Sequence, residues 1–411
     1  MTNYDLGIIG GGPAGYTAAL HAAAKGLRVV IFEKDLVGGT CLNRGCIPTK
    51  AILHSAEVYE ELKNSESLGL CFNDLSFNYE KVVERKDKIV EKLRKGLELS
   101  LKNSKVEVVN AEARVISEHE IAAGEKLYEC KEIFVAAGSR PRVFKGMEFD
   151  GEFILSSDDV LNLKKLPKSI VIIGSGAIGT EWSRIFSAFE VEVTVVELAE
   201  NLLPAADIEI SKRLERIFKS KKIKFYKSVG VERIENKNVY LTNREILEPE
   251  CVLLAAGRQA CSVDNKGCVT CIGDACGEIQ LAHFASKQAI EYIDGIAFDK
   301  TLVPSVVYGN PEIAWVGKRE QDLVEGSYKK STLLVSALGK SHCDNATEGF
   351  IKILSQNDEI VGVHIVSKEA SALIQQITIA IQNKISVSKL KEICFAHPTY
   401  SEGIFESLFR L

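Results

Sequence analysis

DLGIIGGGPAGYTAALHAAAKGLRVVIFE, Asp5 to Glu33, reads as strand, glycine-rich turn, alanine-rich helix, second strand and closing carboxylate. The apolar run Leu6 to Ile9 feeds Gly10, which permits the tight turn. Gly12, followed by Pro13 and Ala14, lets the backbone approach a pyrophosphate, and Gly15 lets the helix pack closely on the strand. The helix aims its positive end at the anion, and Glu33 is placed to accept from ribose hydroxyls. Glycine-rich turns also arise for steric reasons alone, but here strand, helix and acid all fall in place.

The same design returns in SIVIIGSGAIGTEWSRIFSAFEVEVTVVE, Ser169 to Glu197. Ile170 to Ile173 is the strand. Gly174, Gly176 and Gly179 make the turn, with Ala177 and Ile178 opening the helix, and Glu197 closes the unit. Two dinucleotides are implied. A carboxylate at Glu197 binds a free 2′-hydroxyl and repels a 2′-phosphate, so the second is NAD rather than NADP.

Outward from these units, Tyr79 to Ser104 reads as one long helix, with Val90, Leu93, Leu97 and Leu101 as its apolar stripe. Strands follow around Val106 to Val109 and Glu132 to Ala137, and the second unit ends near Gly257. From Val303 onward, strands at Ile313 to Val316, Phe350 to Leu354 and Ile360 to Val366 and helices at Ala370 to Asn383 and Val387 to Ile393 read as a separate α+β domain. The length, 411 residues, fits two to four domains at roughly 150 residues each.

A net charge of −5 with 26% charged residues offers no footprint for nucleic acid. No apolar run reaches the roughly 18 residues of a membrane helix, and no leader opens the chain, so a cytoplasmic setting is expected. The eleven cysteines are odd in number and scattered, unlike a secreted disulfide framework.

Two of them stand in GGTCLNRGCIPTK, Gly38 to Lys50. An extended path would hold the Cα atoms of Cys41 and Cys46 about 17 Å apart, beyond the roughly 7 Å limit of a disulfide, so pairing needs a coiled chain, which Gly45 eases. Pro48 suits a helix's first turn, which sets Cys46 near a positive helix end where a thiolate is favoured. Two small buried apolar residues are the other reading.

The Gly38 to Lys50 string resembles the active-site signature of the pyridine nucleotide-disulfide oxidoreductases. VPSVVYGNPEIAWVG (Val303 to Gly317) and AHPTYSEG (Ala396 to Gly403) resemble that family's interface domain, and VAAGSRP and IGDA its flavin-binding elements. The resemblance implies an α/β protein with two Rossmann-like domains and a C-terminal α+β dimerisation domain. FAD would occupy residues 1–147 and a return segment 266–300, NAD residues 148–265, and the interface domain residues 301–411.

By that resemblance, Asp274 meets the flavin's ribityl and phosphate region, and Lys34, Gly39, Thr40, Ala113, Ala137, Gly138, Leu281, Ala282 and His283 fall at further FAD positions. Gly257 falls at the NAD site, and Ala177 stands where relatives with a gated pocket carry tyrosine. Lys50 and Glu181 resemble an ion pair beside the flavin. His397 and Glu402 resemble a base and its orienting carboxylate, contributed by the partner of a homodimer.

The implied chemistry is oxidation of a dithiol through a Cys41–Cys46 disulfide, with electrons passing by way of FAD to NAD. The nearest match is to members that oxidise dihydrolipoyl groups on a lipoylated subunit of a 2-oxoacid dehydrogenase or glycine cleavage complex. A glutathione- or mercuric-reductase-like enzyme and a low-activity flavoprotein with a structural role are the alternatives.

Some positions depart from the family pattern. The stretch from Arg258 to Asp274 is short, Gln259 and Ala260 replace the usual residues after Arg258, Ala137 replaces a threonine, and Phe395 a histidine. Cys261, Cys268, Cys271 and Cys276 cluster in or beside the short stretch, but their spacing matches no common metal-ligand string, so no metal is expected.

Overall fold

The computed structural model describes residues 3–261 and 269–411. Among these, the strands gather into a seven-stranded sheet, two five-stranded sheets, a three-stranded meander and a two-stranded ribbon.

The first sheet is built around Asn3–Ile9, which runs parallel to Val29–Glu33 on one side and to Lys126–Val135 on the other. The strand Val29–Glu33 is apolar almost throughout because both its faces are covered; Val29, Val30, Ile31 and Phe32 are all buried. Glu107–Asn110 extends the Val29 edge, and the antiparallel strands Glu120–Ala123 and Ala113–Ser117 extend the other. Thr270–Cys271 pairs with Phe134 and Val135 of the same sheet. The chain therefore leaves the first unit and comes back to it, and helix Ala282–Asp294 packs on helix Pro13–Ala24.

The excursion forms the second sheet, in the order Lys224–Tyr226, Glu192–Val196, Ser169–Ile173, Cys251–Leu254, Ile154–Leu155, all parallel. Its exit and return run side by side, Ser139–Pro141 antiparallel to Arg258–Ala260. The meander Val231–Leu247 and this ribbon carry no strong period in the sequence and were not expected. The expected boundary between residues 265 and 266 lies outside the described residues.

The third sheet is antiparallel, in the order Ser305–Val307, Glu312–Gly317, Glu359–Ser367, Phe350–Gln356, Lys329–Leu334, and helix Ala370–Gln382 packs on it. The last expected helix is shorter, Val387–Leu390. The long helix runs Tyr79–Asn103, with Val90 and Leu101 buried but Leu93 46% exposed. The buried stripe, Lys86, Val90 and Leu101, is thus narrower than the leucine spacing implies, with Leu93 left on its solvent side.

Lys352, in the middle of the third sheet, is fully buried. Its ammonium lies 2.7 Å from Asp207, 2.5 Å from Glu320 and 3.4 Å from Glu209. Those three carboxylates could hold a cation, and Lys352 supplies it. Asp207 also caps helix Ile208–Ser220 by accepting from the Glu209 amide at 2.9 Å, so the cluster pins the second sheet's layer to the third. Burial opposes ionisation of Glu320, but hydrogen bonds from Lys330, Lys352 and Tyr328 hold it down at about 2.

Replacing Lys352 by methionine strands the buried Asp207 without its ammonium and leaves Glu320 with the Lys330 ammonium alone. Lys352→Met is expected to lower the unfolding free energy by about 3–5 kcal/mol, measured by denaturant unfolding; a loss within error of zero would contradict the cluster's role.

Candidate functional site

The two glycine turns are superimposable in their hydrogen bonding. The Gly11 amide donates to Glu33 Oε2 at 2.7 Å and the Ser175 amide to Glu197 Oε2 at 2.8 Å, each across 22 residues. The other oxygen of each carboxylate accepts from the amide two residues on, Asp35 at 2.9 Å and Ala199 at 2.8 Å. Gly10 and Gly174 have φ of +108° and +99°, a region that favours glycine. A Cβ on Gly15 would strike the Gly10 carbonyl oxygen, and one on Gly179 the Gly174 carbonyl oxygen.

Whether these turns fit phosphate can be read from what surrounds them. Helices Pro13–Ala24 and Ala177–Ala188 begin at Gly12 and Gly176 with no side-chain cap and no acidic residue in the first turn. Their leading amides are available to an anion. Nothing lies within 4 Å of a Cβ built on Gly176, and only the Gly39 Cα, at 3.7 Å, approaches one on Gly12. The residues present fit two dinucleotides.

The cysteine loop coils into helix Gly39–Arg44, breaks at Gly45 and restarts as helix Cys46–Lys63. Cys46 is that helix's first residue. The sulfurs of Cys41 and Cys46 face each other as free thiols within hydrogen-bonding reach, both half-buried. The hydrogen bond from Cys41 draws Cys46 down to about 7, against burial and with help from the Lys50 ammonium. The same hydrogen bond, with burial, pushes Cys41 up. The pair is therefore asymmetric, with Cys46 the thiolate.

Lys50 follows Cys46 by one helical turn, on the same face. Its ammonium donates to both oxygens of Glu181, at 2.8 and 2.7 Å, and Glu181 is 4% exposed. The Tyr308 ring covers the ammonium with its centroid 4.6 Å away, and the Tyr308 amide donates to Glu181 at 3.1 Å. Sequence reasoning passed over Tyr308, although it stands inside the interface string.

Asp274 stands in the 3-10 turn Gly273–Cys276. It accepts from the Ser139 hydroxyl at 2.6 Å, and Ser139 in turn accepts from Arg258, at 2.8 Å to its hydroxyl and 2.6 Å to its carbonyl. Ser139 and Arg258 were also missed; both lie on the ribbon that joins the first two sheets. Gly138 and Gly257 flank it with φ of +73° and +101°.

Of the other expected contacts, Thr40 lies in the cysteine helix, Ala113 opens a strand, and Leu281 and Ala282 open helix Ala282–Asp294. Lys34 pairs with Glu112 at 3.2 Å. His283 Nε2 meets the Pro304 carbonyl at 2.8 Å, tying the first sheet's helix to the interface domain.

His397 and Glu402 come together 2.7 Å apart through Nδ1. Glu402, which also accepts from the Thr399 amide at 2.8 Å, is held below the usual carboxylate range, first by His397. The His397 side chain is 76% exposed, and among the described residues it forms no hydrogen bond with Cys41 or Cys46. Cys268 lies outside the described residues.

The chain matches the family model described as pyridine nucleotide-disulphide oxidoreductase over residues 4–284, and that of its dimerisation domain over residues 303–408. It is 34% identical to dihydrolipoyl dehydrogenase of Bacillus subtilis, covering 99% of this chain and 97% of the relative. With dihydrolipoyl dehydrogenase of Chlamydia pneumoniae it shares 33% identity, over 97% and 95%. Among solved structures, LpdA from Mycobacterium tuberculosis shares the fold at a TM-score of 0.91 and 23% identity, over 100% and 99% of the two chains.

In the fully reduced protein, ultraviolet thiolate absorbance should show one group ionising with a midpoint at about 7. Because the thiolate is the favoured form above that pH, the signal rises with pH, disappears in Cys46→Ser and moves upward in Lys50→Met. A midpoint that survives Cys46→Ser assigns the thiolate to the wrong sulfur.

Proposed function

The chain belongs to the pyridine nucleotide-disulphide oxidoreductase family, and from that premise we propose that it is a dihydrolipoyl dehydrogenase acting on lipoyl groups carried by a 2-oxoacid dehydrogenase or glycine cleavage complex. The observation that carries the reading is the asymmetric pair Cys41 and Cys46 at a helix start beside Lys50. Bound FAD and NAD supply the two-electron path that returns this pair to its disulfide.

The protein residues do the rest. With the disulfide closed, a substrate thiolate attacks Cys41, the S–S bond breaks, and Cys46 leaves as thiolate. A leaving group of low pKa departs faster, and Cys46 is the lower of the two. The second substrate thiol then attacks the mixed disulfide, the substrate closes its own disulfide, and Cys41 is released as a thiol.

The proton acceptor is His397. Its Nδ1 is engaged by Glu402, which leaves Nε2 free to take the substrate proton. The match to a dimerisation domain supports a homodimer, and an exposed His397 suits service to the partner's cysteine pair. Glu197 selects NAD by accepting from a 2′-hydroxyl. The FAD-binding part is assigned to residues 1–147 and 266–300, the NAD-binding part to 148–265, and the interface to 301–411. A cytoplasmic setting, which keeps thiols reduced, suits such a pair. Among the described residues no helix is long and apolar enough to cross a membrane.

The test is steady-state oxidation of dihydrolipoamide. NAD should outperform NADP by more than about tenfold, and Cys41→Ser should cut turnover by more than about 1,000-fold. Retained turnover in Cys41→Ser, or a preference for NADP, would overturn the proposal.

A further inference from the structure

Cys271 and Cys276 repeat the spacing of Cys41 and Cys46 at the strand that returns to the first sheet. Cys271 ends the strand that pairs with Val135, and Cys276 ends a single turn of 3-10 helix, Gly273–Cys276. Left-handed glycines bracket that turn, Gly273 at φ +70° and Gly277 at +73°. This folds five residues back on themselves, so that the two sulfurs meet within hydrogen-bonding reach. Both residues are partly exposed.

The remaining described cysteines are arranged differently. Cys130 and Cys251 are buried, and burial pushes their thiols up to about 11 and about 12. Cys71, Cys343 and Cys394 are exposed, and no other described cysteine makes a thiol–thiol contact. Contact with Cys276 draws Cys271 below the ordinary thiol range, against burial and the charge of Glu278, while Cys276 rises. One sulfur is thus the better nucleophile and the other holds a proton, the same division of labour as in the first pair.

We infer that Cys271 and Cys276 form a second redox couple, closed to a disulfide by small-molecule disulfides and reopened by thiols. The Cys271 thiolate attacks one sulfur of the small disulfide and expels a thiolate. Cys276 then loses its proton and attacks the Cys271 sulfur, expelling the second thiol. Two protein thiols become one disulfide, and one small disulfide becomes two thiols.

The consequence follows from what lies between the sulfurs. Cys271 is held in the sheet, the Gly273 amide donates to the buried Gln288 at 2.6 Å, and Asp274 accepts from Ser139 at 2.6 Å. Closing the bond brings the sulfurs to about 2.05 Å, and with the strand fixed the 3-10 turn must give. That turn presents Asp274, so the couple adjusts how tightly flavin is held; this part rests on the reading that Asp274 meets the flavin.

The test incubates the holoenzyme with oxidised glutathione, blocks free thiols with iodoacetamide and maps the digest by mass spectrometry. A peptide containing an internal Cys271–Cys276 disulfide is expected, lost in Cys276→Ser and reopened by dithiothreitol. Alkylation of both residues, or pairing of either with Cys261 or Cys268, overturns the couple. Flavin release should change by about threefold or more on oxidation in the unaltered protein and not in Cys276→Ser. An unchanged rate overturns the effect on flavin. A chain that takes up no flavin sinks the dehydrogenase reading instead, and the disulfide map still decides the couple.

Discussion

The ion pair of Lys50 with Glu181 is where three parts of the chain meet. Lys50 belongs to the helix that starts at Cys46, Glu181 to the helix of the second dinucleotide unit, and Tyr308 to the interface domain that caps them both. A carboxylate as buried as Glu181 is stable only with its charge matched and its lone pairs occupied; the ammonium and the Tyr308 amide do both. Because Lys50 sits one turn below Cys46, fixing the ion pair fixes the start of the helix. The sulfur is thereby held where helix amides and an ammonium favour its charged form.

The rest of the architecture keeps that junction in register. The second unit is inserted into the first through a two-stranded ribbon, and the ribbon's own residues, Ser139 and Arg258, hold Asp274. Lys352 binds the second and third layers from inside, in a cluster whose individual charges would each be costly if left alone. Hydrophobic packing fills the layers, but these few polar links decide how the layers are placed on one another.

The parts legible in the sequence are those where backbone sterics or covalent chemistry leaves little choice. Gly10, Gly15, Gly174 and Gly179 announce themselves because no other residue fits the close approach, and Cys41 and Cys46 because their spacing demands a coil. Tyr308, Ser139 and Arg258 were not legible, since their roles depend on distant elements meeting: Arg258 reaches Ser139 across 119 residues of chain. The Leu93 misreading has a similar origin. Periodicity finds the apolar face of a helix but not how wide a strip of that face its neighbours cover: Leu93 is exposed between buried Val90 and Leu101.

The paired carboxylates of Glu33 and Glu197 already spend both oxygens on backbone amides. Their rotamers are therefore locked before any sugar arrives. The entropy of orienting a flexible glutamate, on the order of 1–2 kcal/mol, is met on folding, so a nucleotide bound through these carboxylates, as proposed above, would find a preorganised acceptor. Such a site should tighten and loosen with the stability of its own turn, and a mutation that merely softens the glycine loop will weaken affinity without touching a single contact to the nucleotide.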